Sequence, residues 1–207
     1  MLTLYDYLDS GNGYKVRLLL AHLGRDYTLV EKDIMKGETR TPDYLAMNPN
    51  GRIPLLQLDD GSCLAESGAM LNYLGEGTPY LPNGGIERAR VLQWMFFEQY
   101  SHEPPIAGAR FRMRHKEQTD EVKAQIEALR APGEAALGVM EGELAARDWF
   151  AAGRYTIADI ALYAYTHVAD QGGFDLAAYP AIGRWLDRVK AQPGWFPMLA
   201  PEEPGVA

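Results

Sequence analysis

Apolar residues recur in two alternating rhythms over roughly the first 78 positions, and beyond them the helical rhythm is almost alone. "LTLYDY" alternates as a strand does, and Val16, Leu19, Leu20 and Leu23 then fall at i, i+3, i+4 and i+7, predicting a helix over 14–24 that Gly24 stops. "YTLVEKDI" reads as a second strand, and "TPDYLAM" as a short helix opened by Pro42 just after Thr41. "RIPLLQLDDGSCLAES" has the pattern of a hairpin turning at Asp60-Gly61, and "SGAMLNYLGEG" that of a helix capped by Ser67 and closed by glycine.

Strand, helix, strand, then helix, hairpin and helix is a βαβ unit joined to a ββα unit. That order gives a four-stranded mixed sheet with helices packed on it, an α/β domain of the thioredoxin-like plan. The proline- and glycine-rich "TPYLPNGG" then marks a boundary, so the chain is predicted to have an α/β domain over 1–78, a linker over 79–85 and an all-α helical bundle over 86–207. Within the bundle, "IERARVLQWMFFEQY" meets a break at Pro104-Pro105, and "DEVKAQIEALRAPGEAALGVMEGELAARDWF" is interrupted or kinked at Pro132-Gly133. "YTIADIALYAYTHVAD" carries a sharper start: Thr156 as N-cap, Asp159 three residues on, and Tyr155 placed to pack against Ile160. The tail "PEEPGVA" is expected to be loose.

With 207 residues and 47% apolar content the chain can bury a sizeable core. It lacks a run of 18 apolar residues and a basic, apolar leader, so the expectation is a soluble, cytoplasmic protein without a membrane partner. One cysteine, Cys63, rules out an internal disulfide framework; it lies in a strand-like run and is expected to be a buried structural thiol. Four scattered histidines show no metal-ligand spacing, so no metal is expected. A net charge of -8 argues against nucleic acid as a partner, because phosphate binding needs clustered Lys and Arg, but leaves room for a small anion held locally.

The candidate for holding that anion is "DSGNGYKVR". Gly11 and Gly13 match the first two glycines of a dinucleotide fingerprint, but Val16 stands where the third should be. Lys15 lacks both the glycine before it and the hydroxyl after it that a P-loop requires. What remains is a strand, a polar loop and a helix start, with Ser10 just ahead of free amides and the positive end of a helix dipole. Ser10 is either a helix cap or a hydroxyl aimed at an anion.

Three segments in this order, "DSGNGYK", "NPNGRIPLL" and "LAESGAM", resemble the glutathione transferase superfamily, and the "YTIADI" helix start and all-helical second half extend the likeness through most of the chain. The resemblance implies a transferase with glutathione as co-substrate, joined to a small hydrophobic electrophile. It implies a cis bond before Pro54, with the Ile53 backbone pairing with the cysteinyl part of the tripeptide like an added strand. By the same likeness Glu66 and Ser67 hold the γ-glutamyl end, and Arg52 reaches the glycyl carboxylate, assisted by Thr39, which is shorter than the His or Gln usual there. Ser10 matches the hydroxyl that donates to the glutathione sulfur and holds it as thiolate, and the side-chain amide of Asn12 is the alternative donor to the same sulfur. A free thiol has a pKa of about 8.5, and each unit of depression corresponds to about 1.4 kcal/mol.

Asn12 departs from the cysteine of the zeta-type loop and is similar to a bacterial group with Thr-Pro-Asn-Gly, some of whose members reduce mixed disulfides with glutathione. Tyr14, Tyr100, His102 and Arg110 are the candidate walls of the electrophile site, with His102 expected to be exposed or site-lining because of its polar flanks. The likeness also implies a homodimer, in which the first domain of one chain meets the second of the other. A non-catalytic adaptor of the same fold is the rival class; the presence of Ser10, Pro54, Glu66 and Ser67 together favours binding of the tripeptide.

Overall fold

The computed structural model describes residues 1–199, and the "PEEPGVA" tail lies outside them. Two compact units divide the chain: Met1–Glu76 together with the segment that begins at Pro193, and Gly77–Gln192. The return of the chain to its first unit departs from the expected division, which left everything after residue 85 in the helical bundle. Pro193 cannot continue a helix, and the chain leaves the bundle there.

The first unit runs β1 (Leu2–Asp6), α1 (Gly11–His22), β2 (Tyr27–Glu31), α2 (Pro42–Met47), β3 (Leu55–Gln57), β4 (Cys63–Ala65) and α3 (Ser67–Gly75). Its sheet has the order β2-β1-β3-β4, with β1 parallel to β2 and antiparallel to β3, and β3 antiparallel to β4. The turn chemistry is as the sequence suggests. Thr41 caps α2 by accepting from the Tyr44 amide, and the Asp60 side chain accepts from Ser62 N–H at 2.9 Å within the β3–β4 turn.

Two expectations change on folding. Cys63 is exposed, not buried, because β4 is an outer strand of the sheet. Helix α1 begins at Gly11, ahead of the expected Tyr14, and is not a one-faced helix: every residue from Gly13 to Leu20 is buried, Lys15 and Arg17 included.

The second unit is helical: α4 (Gly85–Phe97), a π-helical turn (Glu98–His102), α5 (Glu103–His115), α6 (Asp120–Glu127), α7 (Arg130–Ala146), α8 (Ile157–Thr166) and α9 (Pro180–Lys190). Pro104 and Pro105 do not stop the helix. They fall in the first turn of α5, where amides have little use for a partner, and the wider π turn before them takes up the step. The second break falls before α7, with Pro132 and Gly133 inside that helix. All ten residues of α8 are buried, and the Thr156–Asp159 capping box opens it. The Asp159 carboxylate also accepts from Phe150 N–H at 3.3 Å and Trp185 Nε1–H at 3.1 Å. Burial nevertheless pushes its pKa up to about 6.

Candidate functional site

The first unit gathers the polar candidates at one end of its sheet. Tyr5 of β1 pairs with Leu55 of β3, and Leu55 with Ala65 of β4. The antiparallel registers therefore carry the end of β1 with its following loop, the Ile53–Pro54 segment and the start of α3 to the same edge. Ligands of open α/β sheets lie outside the carboxyl ends of parallel strands, which is where β1 delivers Ser10.

Ser10 is the N-cap residue of α1, with extended backbone (φ -92, ψ 124), but its side chain makes no capping hydrogen bond. Capping preference alone favoured the other outcome. Its carbonyl accepts from Tyr14 N–H at 3.0 Å and its own amide donates to Tyr7 O at 2.8 Å, so the backbone is fixed while the half-buried hydroxyl is unspent among the described residues. Two residues on, Asn12 Oδ1 accepts from Lys15 Nζ at 2.7 Å and from Ser67 Oγ at 3.2 Å. An ammonium has donors only, so the lysine fixes which end of the amide faces it. Asn12 thereby ties the N-terminus of α1 to that of α3.

Ser67 is buried and is the first residue of α3, not its cap as the sequence suggested; Glu66 is the cap. Glu66 has φ 70 and ψ 114, a region costing a non-glycine residue roughly 1–3 kcal/mol. The strain sits beside three first-turn amides, those of Ser67, Gly68 and Ala69, which no side chain caps. Such amides with the helix dipole suit a carboxylate.

The bond between Ile53 and Pro54 is cis, as the family likeness implied. Ile53 is half-buried, and neither its amide nor its carbonyl is hydrogen-bonded among the described residues. The residue before it is anchored through the backbone instead. Arg52 O accepts from Tyr44 Oη at 2.9 Å and from Asn48 Nδ2 at 2.8 Å, and burial raises the Tyr44 pKa, keeping the phenol a donor. The Arg52 side chain is exposed and makes no ion pair among the described residues. Thr39 is 4% exposed, in a turn packed on Gly51. Of the two residues expected to reach a terminal carboxylate, only Arg52 offers a charged group to solvent.

The candidates for a second-substrate site separate. Tyr14 is wholly buried, its hydroxyl donating to Phe196 O at 2.6 Å and its ring edge-on to that of Phe196. In the second unit, Arg110 is 3% exposed and donates through Nε to Gln171 Oε1 at 2.8 Å. His102, expected to be exposed or site-lining, is completely buried. Its polar sequence neighbours misled because helical periodicity sets burial: Glu98, His102, Pro105 and Ile106 share one face, and all are buried. Thr166 Oγ1 donates to Leu162 O at 2.7 Å and so accepts from His102 Nε2 at 2.9 Å, which fixes the tautomer. Only Tyr100 is exposed, at 87%, on an apolar cleft of about 520 Å³ that it lines with Phe97, Pro105, Pro132 and Val139.

Asp6 and Arg17 are functional candidates that no sequence motif singles out. Both side chains are wholly buried, with Arg17 Nε 2.9 Å from Asp6 Oδ2. A signal was available: Asp6 occupies an inward position of β1 after Leu2 and Leu4, and a buried carboxylate requires a partner.

Comparison with known proteins supports the family likeness. Residues 1–76 match the profile described as glutathione S-transferase, N-terminal domain, and residues 101–193 that of the corresponding C-terminal domain. The crystal structure of a glutathione S-transferase from Pseudomonas fluorescens Pf-5 is similar with a TM-score of 0.94 and 49% identity, covering 96% of this chain and 99% of that one. The disulfide-bond oxidoreductase YfcG of Escherichia coli K12 is 32% identical over 200 residues, 93% of this chain and 92% of that protein. The glutathione transferase URE2P6 of Phanerochaete chrysosporium, solved in complex with oxidised glutathione, is 28% identical with a TM-score of 0.83, covering 93% of this chain and 92% of that one.

Proposed function

The chain belongs to the glutathione S-transferase family, and from that premise we propose that it is an enzyme that binds glutathione, holds its sulfur as thiolate beside Ser10, and transfers it to a small hydrophobic electrophile. The observation that carries this reading is the Ser10 hydroxyl, which stands at the N-terminus of α1 without capping it. A hydroxyl donor and the positive end of a helix both favour a sulfur anion over the neutral thiol. Glutathione supplies the nucleophilic sulfur; the protein's part is to orient the tripeptide and keep the proton off.

The other groups fit the rest of the tripeptide. The unpaired Ile53 amide and carbonyl are complementary to an extended peptide laid antiparallel. The first turn of α3 with Ser67 suits the γ-glutamyl carboxylate, beside Glu66, while the exposed Arg52 suits the glycyl carboxylate.

A second reading, reduction of mixed disulfides by the same thiolate, is favoured by Asn12 in the loop and by the likeness to a disulfide-bond oxidoreductase. We also propose a homodimer; light scattering at micromolar concentration is expected to give twice the 23.0 kDa chain mass.

Thermal shift and calorimetry with glutathione test the binding. A ligand at 100 times its dissociation constant stabilises by about 2.7 kcal/mol. No shift at millimolar glutathione would count against the whole reading. A screen of aryl halides, epoxides, peroxides and mixed disulfides then separates transfer from disulfide reduction.

A further inference from the structure

Beyond the residues that face the tripeptide, we infer that Arg17 is a positioning residue through which the C-terminal segment sets the Ser10 loop; the inference rests on the functional reading above. The Arg17 guanidinium lies under the loop and has three different acceptors. Nε donates to Asp6 Oδ2 at 2.9 Å, Nη2 to Leu8 O at 2.9 Å, and Nη1 to Met198 O at 3.1 Å. The end of β1, the middle of the loop and the last described turn of the chain thus meet on one planar group. That fork is why arginine and not lysine suits the position.

From there the bonding runs to Ser10 in two steps. The other Asp6 oxygen, Oδ1, accepts from Tyr7 N–H at 2.7 Å, and Tyr7 O accepts from Ser10 N–H at 2.8 Å. The backbone on which the Ser10 hydroxyl rides is therefore held by a chain of bonds that begins at Met198. The segment is docked at two further points on α1: Tyr14 Oη donates to Phe196 O at 2.6 Å, and His22 Nδ1 lies 2.7 Å from Pro193 O. With Phe196 and Met198 both buried, residues 193–199 form a strap along α1 and not a loose end.

The network leaves no slack around Asp6. A Cβ on Gly13 would lie 1.6 Å from Asp6 Oδ1, so the helix start and the carboxylate are packed against each other. A hydroxyl that must meet a sulfur within hydrogen-bond distance is sensitive to shifts of this scale, since a misplacement of about 1 Å can cost roughly 100-fold in rate. Arg17 and the strap touch neither the tripeptide nor the reacting atoms on this account. They act through the loop.

The test uses three variants: Arg17→Lys in the full chain, a chain ending at Trp195, and the two combined, with His22→Ala in the full chain as control. The readouts are the ultraviolet absorbance of bound glutathione thiolate against pH, and the dissociation constant of S-hexylglutathione. Arg17→Lys keeps the charge beside Asp6 but places all its donors on one nitrogen, which cannot span the three separated acceptors; the shortened chain keeps Arg17 but removes Met198, together with the Phe196 carbonyl that Tyr14 meets. Each is expected to raise the thiol pKa by about one unit and to lower kcat/KM near neutral pH roughly tenfold, with little change in S-hexylglutathione affinity. The combined variant is expected to shift the thiol pKa little beyond the shortened chain alone, because the Arg17–Met198 connection is already gone there. His22→Ala, which loosens the strap away from Arg17, is expected to leave the thiol pKa in place. An unchanged pKa in both Arg17→Lys and the shortened chain overturns the inference, as does an equal rise in His22→Ala. Wild-type protein that binds no glutathione overturns instead the functional reading beneath it.

Discussion

Replacing Ser10 by alanine removes one hydroxyl and little else, because that hydroxyl caps nothing. The Ser10 backbone bonds, to Tyr7 O at 2.8 Å and from Tyr14 N–H at 3.0 Å, survive the change, and α1 loses no cap. The usual cost of deleting a serine N-cap, about 1 kcal/mol, should therefore not appear in the unfolding free energy. What disappears is one hydrogen bond to a charged sulfur, worth roughly 1.5–3 kcal/mol. At about 1.4 kcal/mol per unit, the pKa of bound glutathione should rise by about one to two units. Affinity for S-hexylglutathione, which has no thiol proton to lose, should be nearly unchanged, since Ser67, Ile53 and Arg52 are untouched. Asn12→Ala should behave differently: Asn12 Oδ1 holds both Lys15 Nζ and Ser67 Oγ, so its loss should weaken binding and raise the pKa less. Thiolate absorbance against pH, measured on wild type and both variants, decides the matter. A Ser10→Ala protein with an unchanged thiol pKa, or one destabilised by a full capping energy, refutes the argument.

Ser67→Ala should lower glutathione affinity roughly tenfold or more while leaving the bound thiol pKa in place; calorimetry showing unaltered affinity would remove the carboxylate from α3. Gly13→Ala should destabilise the first unit by about 3 kcal/mol or more, because the new methyl would meet Asp6 Oδ1 at 1.6 Å and the buried Asp6–Arg17 pair has nowhere to go; a loss below about 1 kcal/mol in urea unfolding would contradict the packing. In the second unit, the pKa of Asp159 is raised to about 6 and that of His167 lowered to about 4, each chiefly by desolvation. Asp159 thus adds stability that fades as pH rises through 6, and His167 adds stability that is lost as pH falls through 4, so the two slopes oppose each other between. Asp159→Asn should make unfolding stability climb with pH relative to wild type by up to about 1.4 kcal/mol per unit in that window, and His167→Gln should make it fall; parallel curves for all three proteins would refute both shifts.

The architecture was largely legible because its signals are local. Alternation in "LTLYDY", the Asp60-Gly61 turn, Pro42 after Thr41 and the Thr156–Asp159 box each act within a few residues, and each appears in the fold. The candidate site is legible in part for the same reason: Ser10, Ile53 and Ser67 lie at element starts or turns, where composition reports backbone geometry. What the sequence did not reveal depends on contacts between distant segments. His102 looked exposed because its neighbours are polar, whereas its partner Thr166 lies 64 positions away. Cys63 looked buried because its run resembles a core strand, and only the strand order places it on an edge.

For Arg17, the reason it is hidden from sequence patterns and the consequence of its burial lie in the same contacts. A periodicity argument over 14–24 selects Val16, Leu19, Leu20 and Leu23 and treats the charged positions between them as solvent-facing. Helix α1 breaks that rule: every residue from Gly13 to Leu20 is buried, with α3 packed on the helix and the returning C-terminal segment bonded to it. Once Pro193 brings the chain back to the first unit, a charged side chain on the far face of α1 is no longer in water and must find every acceptor it needs inside. Those it finds are the Asp6 carboxylate and two carbonyls, one in the Ser10 loop and one in the strap. The physical demand to satisfy a buried guanidinium is thus what joins the end of the chain to the loop that carries its best candidate for chemistry. A sequence in which that strap were absent would leave Arg17 exposed and the loop held from one side only.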